Sequence, residues 1–431
     1  MLLIYTHKIT PRFSYIMRHL FTRVLGIDVT FATKVEDFIK HTGPKITYTK
    51  QPLQNEFFVR STDLLFEQGV NDFDITMGDW EGIPCFFTTG ERSNLPYDIF
   101  AASFYLISRY EEYLPHLKDL HGRFPPGESF ASKNGFLHLP VIDIWAFKLK
   151  QSLVNRFPQI IASDRFYTFK PIIDVTTSHC YSNRGLFRGL GGLLLDLGTF
   201  KFKRVGQRIL VWFNARKDPY DNFYPLIDLH KKYGVKAMFF FQFASYSTYD
   251  KNVSPNNNNF RYLIKSVADY GVVSLAASYS SFNNNELLKT EKKRLSEVIN
   301  RPVKYSRLRY NRVDIPATYR NLIETEFTDD YTMGYTHAIG FRAGTCSPFY
   351  FYDIALETQQ PIKVHPFAVH DYALTTLNTE EEIMQKMDHM YRQIKQVNGN
   401  FIAIFSNELL GGDHKVDWMD LYNKVIQKYH V

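Results

Sequence analysis

The pattern of apolar and polar positions divides this 431-residue chain near Arg165. Before that point, Leu2–Tyr5, Ile27–Phe31 and Ile83–Phe87 predict strands, the last following the turn-like Gly78-Asp79-Trp80-Glu81-Gly82. Apolar residues recur at helical spacing over Tyr97–Tyr113, behind Pro96, and Asp143–Phe157 predicts a second helix closed by Pro158. From Phe166 onward strand-like and helix-like stretches alternate. The predicted strands are Lys170–Val175, Lys236–Phe243, Val272–Ala276, Val303–Leu308, Gly340–Ala343, Ile362–Pro366 and Asn400–Phe405. Between them Tyr224–Tyr233, Asn259–Tyr270, Asn284–Asn300, Pro316–Glu326 and Glu380–Asn398 read as helices. The expectation is an α/β protein: a smaller mixed α/β domain over 1–165, then a parallel sheet over 166–431, closed as a barrel or doubly wound. Functional side chains in such sheets gather at the C-terminal tips of the strands.

Composition narrows the class without fixing the function. Hydrophobic residues at 45% and charged residues at 22% are ordinary for a globular protein, and the length suits two domains. Aromatics reach 16%, with 28 Tyr and 37 Phe; many fall in strand-like runs and belong to cores, while others could offer stacking faces to sugars. Cys85, Cys180 and Cys346 are too scattered for a disulfide framework or a zinc knuckle. The first residues read as a strand rather than a leader, and no window is apolar enough to span a membrane, so a cytoplasmic protein is expected.

Charge is concentrated in one place. Residues 184–217 carry eight basic side chains against a single acid, Asp196, which accounts for the whole net charge of +7. This segment begins with the apolar, glycine-rich stretch Gly185–Leu195 and continues into Lys201-Phe202-Lys203-Arg204. Apolar residues beside clustered cations suit a peripheral contact with an anionic membrane; the alternative is an insertion packed on the sheet with its charges in solvent. No nucleic-acid recognition motif accompanies the basic run, so nucleic acid is not an expected partner.

Candidate chemistry begins at the strand tips. The run Phe169–Ile173 ends in Asp174-Val175-Thr176, whereas Tyr270–Tyr279 forms a comparable strand whose tip carries no metal donor. Further on come Thr328–Tyr335, Gly340-Phe341-Arg342-Ala343-Gly344-Thr345-Cys346-Ser347-Pro348-Phe349 and Lys363–Ala368. With Leu95–Tyr113 and His121-Gly122-Arg123-Phe124 in the first part, these stretches resemble the polysaccharide deacetylase (NodB-like, carbohydrate esterase 4-type) family, in its divergent form with an extra N-terminal domain. The resemblance implies a distorted (β/α)7 barrel, hydrolysis of N-acetyl groups on glycans, and a divalent metal such as zinc.

The same resemblance implies that the metal site has been emptied. The family's Asp-x-Asp ends here in Thr176, a neutral hydroxyl and a poor zinc ligand, and its strand histidine falls on Ala276, which has no lone pair. A further histidine position falls on Arg309, whose fixed charge repels a cation. Where the family carries a Trp-His-Asn-Glu-like sequence this chain has Phe405-Ser406-Asn407-Glu408. Without a metal to lower the pKa of its bound water from 15.7 toward about 7, a lone carboxylate makes too little hydroxide for amide cleavage. No resident cofactor is therefore expected.

What survives supports several readings. Asp174 matches the family's base; Arg342 could orient Asp174 or form a buried ion pair; His365 could be a residual acid or a hydrogen-bonded core histidine. His179-Cys180 and His370-Asp371 could build a relocated metal site with Asp174. Arg307 and Arg309 alternate on a predicted strand and would project into the cleft, where Tyr279 is a candidate sugar-contacting side chain. Such a cleft would hold an acidic or lipid-linked glycan; alternatively Arg309 salt-bridges Asp174 and closes it. The expected function is that of a glycan-binding relative whose deacetylase activity is lost or altered. A hydrolase with relocated ligands and a non-catalytic scaffold are the alternatives.

Overall fold

The computed structural model describes residues 1–430, with the backbone alone at Leu186. Four short strands near the N-terminus, β1 (Leu2–Tyr5), β2 (Val29–Ala32), β3 (Lys45–Thr49) and β4 (Phe57–Arg60), form a parallel sheet in the order β2-β1-β3-β4. Beside it lies a hairpin of β5 (Met77–Trp80) and β6 (Ile83–Phe86). Gly78 to Trp80, expected as a turn, are therefore strand, and the reversal falls on Glu81 and Gly82, both at positive φ.

The larger sheet has nine strands in the order β12-β13-β11-β10-β9-β8-β7-β15-β14. They are β7 (Thr168–Val175), β8 (Met238–Phe241), β9 (Val272–Ala277), β10 (Tyr305–Leu308), β11 (Asp329–Asp330), β12 (Phe349–Asp353), β13 (Thr358–Val364), β14 (Val369–His370) and β15 (Asn400–Ser406). All run parallel except β12, which pairs antiparallel with β13. Parallel strands covered on both faces read as near-continuous apolar runs, which is why Phe169–Val175 and Phe401–Phe405 are legible as strands. The predicted helices are present as Phe223–Tyr233, Asn258–Ala268, Asn285–Ile299, Ala317–Glu324 and Glu380–Gln396, the last opened by a Thr379/Glu382 capping box.

Two expectations fail here. Gly340–Ala343 is a loop, because its backbone is drawn to other partners: Gly340 N–H donates to Ala368 at 2.9 Å and Phe341 N–H to Leu137 at 2.8 Å. Gly340 sits at φ +137°, with the Leu137 carbonyl where a β-carbon would go. The long helix expected over Tyr97–Tyr113 stops at Ile107; Arg109 turns left-handed at φ 56°, and a single 3₁₀ turn, Tyr110–Glu112, follows.

The nine-stranded sheet wraps around its own inner face. Ile172, Phe240, Ala276, Tyr331, Ile402 and Ile404, from four strands and the residue after β11, pack into one inward cluster with Tyr305 of β10 against it. The outward residues of the same strands, among them Ile173, Phe239, Leu275 and Phe405, join the helices in a second, larger core. That outer core is continuous with the N-terminal sheet. Buried polar contacts reinforce the junction: Glu112 takes both Arg342 and Arg109, and Asp143 accepts from Thr345 at 2.6 Å and from the Cys346 N–H at 3.0 Å.

Candidate ligand cleft

Period-2 alternation puts Lys170, Ile172 and Asp174 of β7 on the inward face, with Asp174 uppermost at the C-terminal tip. Its Oδ2 accepts the Arg307 Nε–H at 3.1 Å, and the Arg307 Nη1 donates to the Tyr331 carbonyl at 3.0 Å. Two strands separate β7 from β10, about 14 Å on a flat sheet, so this contact exists because the sheet curls. Arg307 is also the ladder partner of Ala276. The guanidinium thus reaches Asp174 from the strand position beside the small Ala276.

The alternative that Arg309 would close the cleft on Asp174 is corrected: the salt bridge belongs to Arg307. β10 ends at Leu308, Tyr310 turns left-handed at φ 59°, and Arg309 leaves the strand before it can follow the alternation. Its guanidinium lies 4.6 Å from the centre of the Tyr310 ring, and its buried Nε has no hydrogen-bond partner among the described residues. Asp174 Oδ1 is likewise buried and unpartnered.

Both side chains line a cleft of about 280 Å³ that also receives Thr176, Ser406, His370, Tyr372 and, from the N-terminal part of the chain, His121 and Arg123. Three arginines and one carboxylate, Asp174, line it. Arg123 is already engaged by Asp119 at 2.7 Å and by the Tyr310 carbonyl at 2.8 Å. Arg307 is engaged by Asp174, which leaves Arg309 as the guanidinium with an unmet donor. Burial pushes His121 and His337 below the ordinary imidazole pKa, with Arg123 adding to both effects.

Tyr279 belongs to an aromatic group beside this cleft. Its ring centre is 4.2 Å from that of Tyr249 and 5.6 Å from that of Tyr310, and His121 stacks on Tyr310 at 4.6 Å. Arg312 lies over Tyr279 at 4.1 Å from its centre. Sequence reasoning missed His121, Arg123, Tyr249 and Tyr310 as members of this site, although His121-Gly122-Arg123 was a distinctive tripeptide.

Two candidates lie elsewhere. Arg342 neither reaches Asp174 nor lines the cleft; it is buried and grips Glu112 with both Nε, at 2.9 Å, and Nη2, at 2.6 Å. His365 sits at the lower end of the inner face of the curled sheet. Its Nε2 is 2.7 Å from Asp329 Oδ1 and its ring stacks on Tyr331, in the electrostatic neighbourhood of Lys170. Lys170 precedes Asp174 by four residues on the same face, about 13 Å along the strand. Burial holds the His365 pKa down despite Asp329. His370, with His121 and His337, does line the cleft, and its Nδ1 is 2.7 Å from Asp371 Oδ1.

The residues beside Asp174 do not fit the divalent metal that the resemblance implies. Thr176 donates its hydroxyl to Glu408 Oε1 at 2.9 Å, Ala276 belongs to the apolar inner cluster, and a guanidinium covers one carboxylate oxygen. Among the described residues no three His, Cys, Asp or Glu side chains converge as a metal site, so His179, Cys180, His370 and Asp371 are not gathered around Asp174. His179 instead faces the Ser178 hydroxyl at 3.1 Å.

Comparison with known proteins adds the following. Residues 2–158 match a family of unknown function (DUF7033). No curated protein matches the chain. A Mycobacterium smegmatis protein assigned as a polysaccharide deacetylase aligns over 62% of this chain and 86% of its own, at 12% identity and a TM-score of 0.41. The Puue allantoinase aligns over 60% and 83%, at 11% identity and 0.40. A Pseudomonas aeruginosa PAO1 protein assigned as a polysaccharide deacetylase aligns over 60% and 84%, at 12% identity and 0.39. Likeness at this level bears on neither substrate nor mechanism.

Proposed function

We propose that this chain is a glycan-binding, deacetylase-like protein of cell-surface polysaccharide metabolism, in which metal-dependent hydrolysis has given way to recognition of an acidic sugar. The nine-stranded sheet is then a distorted (β/α)7-type barrel over 166–431, opening toward a smaller α/β domain over 1–165, and the site of action is the cytoplasm. One observation carries the proposal: a guanidinium sits on Asp174 where catalysis would need a cation, while Arg309 keeps an unmet donor in the same cleft. An arginine fork pairs with carboxylate, phosphate or sulfate. Asp174 Oδ1 supplies a complementary acceptor for a sugar hydroxyl, and the neighbouring Tyr310 and Tyr279 rings supply faces for the C–H side of a pyranose.

Calorimetric titration with uronic acids, sugar phosphates and their neutral counterparts tests this reading. The acidic sugars are expected to bind and the neutral ones to bind at least tenfold more weakly, a difference of about 1.4 kcal/mol. Arg309→Gln should remove the preference without unfolding the protein, because the Arg307–Asp174 pair stays in place. If no acidic sugar binds the folded wild-type protein, the reading fails.

A further inference from the structure

The basic segment folds into a helical hairpin whose polar and apolar sides are reversed. The helices Leu186–Gly198 and Phe202–Trp212 pack on each other through small residues: a β-carbon at Gly189 would meet the Trp212 ring, and one at Gly192 the Arg208 guanidinium. Between the helices, Arg208 Nη2 and Asp196 Oδ2 form a buried ion pair at 2.6 Å. The outward faces are apolar. Phe187, Leu190, Leu194 and Leu197 form one stripe at helical spacing, and Phe202, Ile209 and Phe213 form another, with Phe200 at the turn between them. Among the described residues, 11 of the 26 exposed large apolar side chains fall within residues 187–213. Phe187 is 93% exposed and Phe213 81%. So much apolar surface on one short element marks an interaction face rather than scattered exposure.

Charge identifies the occupant. Lys201 and Arg204 stand exposed at the turn, and Arg216 and Lys217 at the far end. The segment's one acid, Asp196, is consumed inside by Arg208. Lys203, Arg204 and Arg216 also line a cavity of about 490 Å³ beside the second helix, where Lys203 meets Asp413. A second copy of the chain would bring the same positive charge against itself. The helices, of 13 and 11 residues, fall short of the roughly 20 needed to cross a bilayer. At the hairpin base, Arg184 donates to the His179 carbonyl at 2.9 Å and Arg188 to the Asn252 carbonyl at 3.1 Å, tying the element to the loops that follow β7 and β8.

We infer that this hairpin docks the protein on an anionic lipid surface, lying in the interface with its leucine and phenylalanine side chains among the acyl chains and its cations at the headgroup phosphates. The inference does not depend on the glycan reading. The full-length protein should co-sediment at low salt with vesicles of phosphatidylcholine mixed with phosphatidylglycerol. It should bind far less to phosphatidylcholine alone, and raised salt should release it. The variant Lys201→Gln/Arg204→Gln should lose roughly tenfold or more in partitioning to the mixed vesicles. The variant Phe187→Ser/Leu194→Ser/Phe213→Ser should lose binding at every composition. Each substituted side chain is exposed, and circular dichroism checks that both variants are folded. Three results would overturn the inference: absence of wild-type binding at low salt, undiminished binding by both folded variants, or a dimer that the apolar variant dissociates while vesicles stay unbound.

Discussion

Arg307 and Asp174, 133 residues apart in the chain, meet across the inner face of the curled sheet with 3.1 Å between Nε and Oδ2. Arg307 is 2% exposed and Asp174 13%. The carboxylate is thus neutralised by a residue of the chain itself. Breaking one side of a buried pair costs more than removing both, because the survivor keeps its desolvation penalty without its partner. Arg307→Leu should therefore destabilise the protein by about 3 kcal/mol, whereas Arg307→Leu/Asp174→Asn should recover most of that loss. Urea denaturation of the wild type, these two variants and Asp174→Asn gives the cycle; additive losses would show that the two groups do not couple.

The same geometry sets a condition for installing a metal centre. Thr176→Asp, Ala276→His and Arg309→His would introduce the ligand types that the deacetylase resemblance implies, but Arg307 would still cover Asp174 and crowd position 276, its ladder partner. The three-substitution protein is expected to stay metal-poor after dialysis against zinc, and addition of Arg307→Ser should permit about one equivalent to bind. Equal zinc contents in the two proteins, measured by atomic emission, would contradict a blocking role for Arg307.

A third consequence concerns the junction between the N-terminal part and the larger sheet. Glu112 is buried and shared by Arg342 and Arg109, and these cations hold its carboxyl below the ordinary range against the opposing effect of burial. Glu112→Gln leaves two guanidiniums competing for one neutral amide. The expected cost is about 3 kcal/mol in stability, with sugar affinity of the folded fraction unchanged, because Arg342 does not line the cleft. A changed affinity at full folding would mean that the junction also positions the cleft.

Much of this architecture is legible from local pattern, and the parts that are not share a cause. Doubly covered strands such as Phe169–Val175, and helices with clear caps such as Glu380–Gln396, carry their signal within a few residues. The break in the Tyr97–Tyr113 helix does not, since the left-handed Arg109 is held by Glu111 and Glu112 and faces Arg342 from 233 residues away. Alternation places Asp174 and Arg307 inward correctly. It fails for Arg309, because a tertiary turn at Tyr310 ends the strand one residue earlier. For His365 and Arg342 the sequence allows either a place near Asp174 or a buried structural pairing; their partners, Asp329 and Glu112, depend on the curl of the large sheet and on the packing of the two sheets, which no local window contains.

Glu291 offers a pH-dependent readout next to the site. It is 2% exposed on the helix Asn285–Ile299, accepts the Ser278 N–H at 3.1 Å through Oε2, and has no partner for Oε1 among the described residues. Burial, with Asp250 adding its charge, pushes its carboxyl up to about 7 from 4.5, against the lowering effect of the Ser278 and Ser281 hydrogen bonds. The native state therefore binds this proton more tightly than the unfolded chain. Between pH 4.5 and about 7 the folded form holds more protons, so this group's contribution to stability falls as pH rises through that window and is fully lost above it. His19 and His230 act in the opposite sense: burial lowers them to about 3 and about 4, so they destabilise the fold as pH falls below 6.5. Comparing wild type with Glu291→Gln cancels the histidines and isolates the carboxyl. Urea denaturation should give nearly equal stabilities at pH 4.5 and an advantage for the glutamine variant of about 2–3 kcal/mol at pH 8. Parallel stability profiles across that range would mean that Glu291 titrates alike in the folded and unfolded chains, and that its burial beneath the Ser278–Tyr279 turn does not confine its charge.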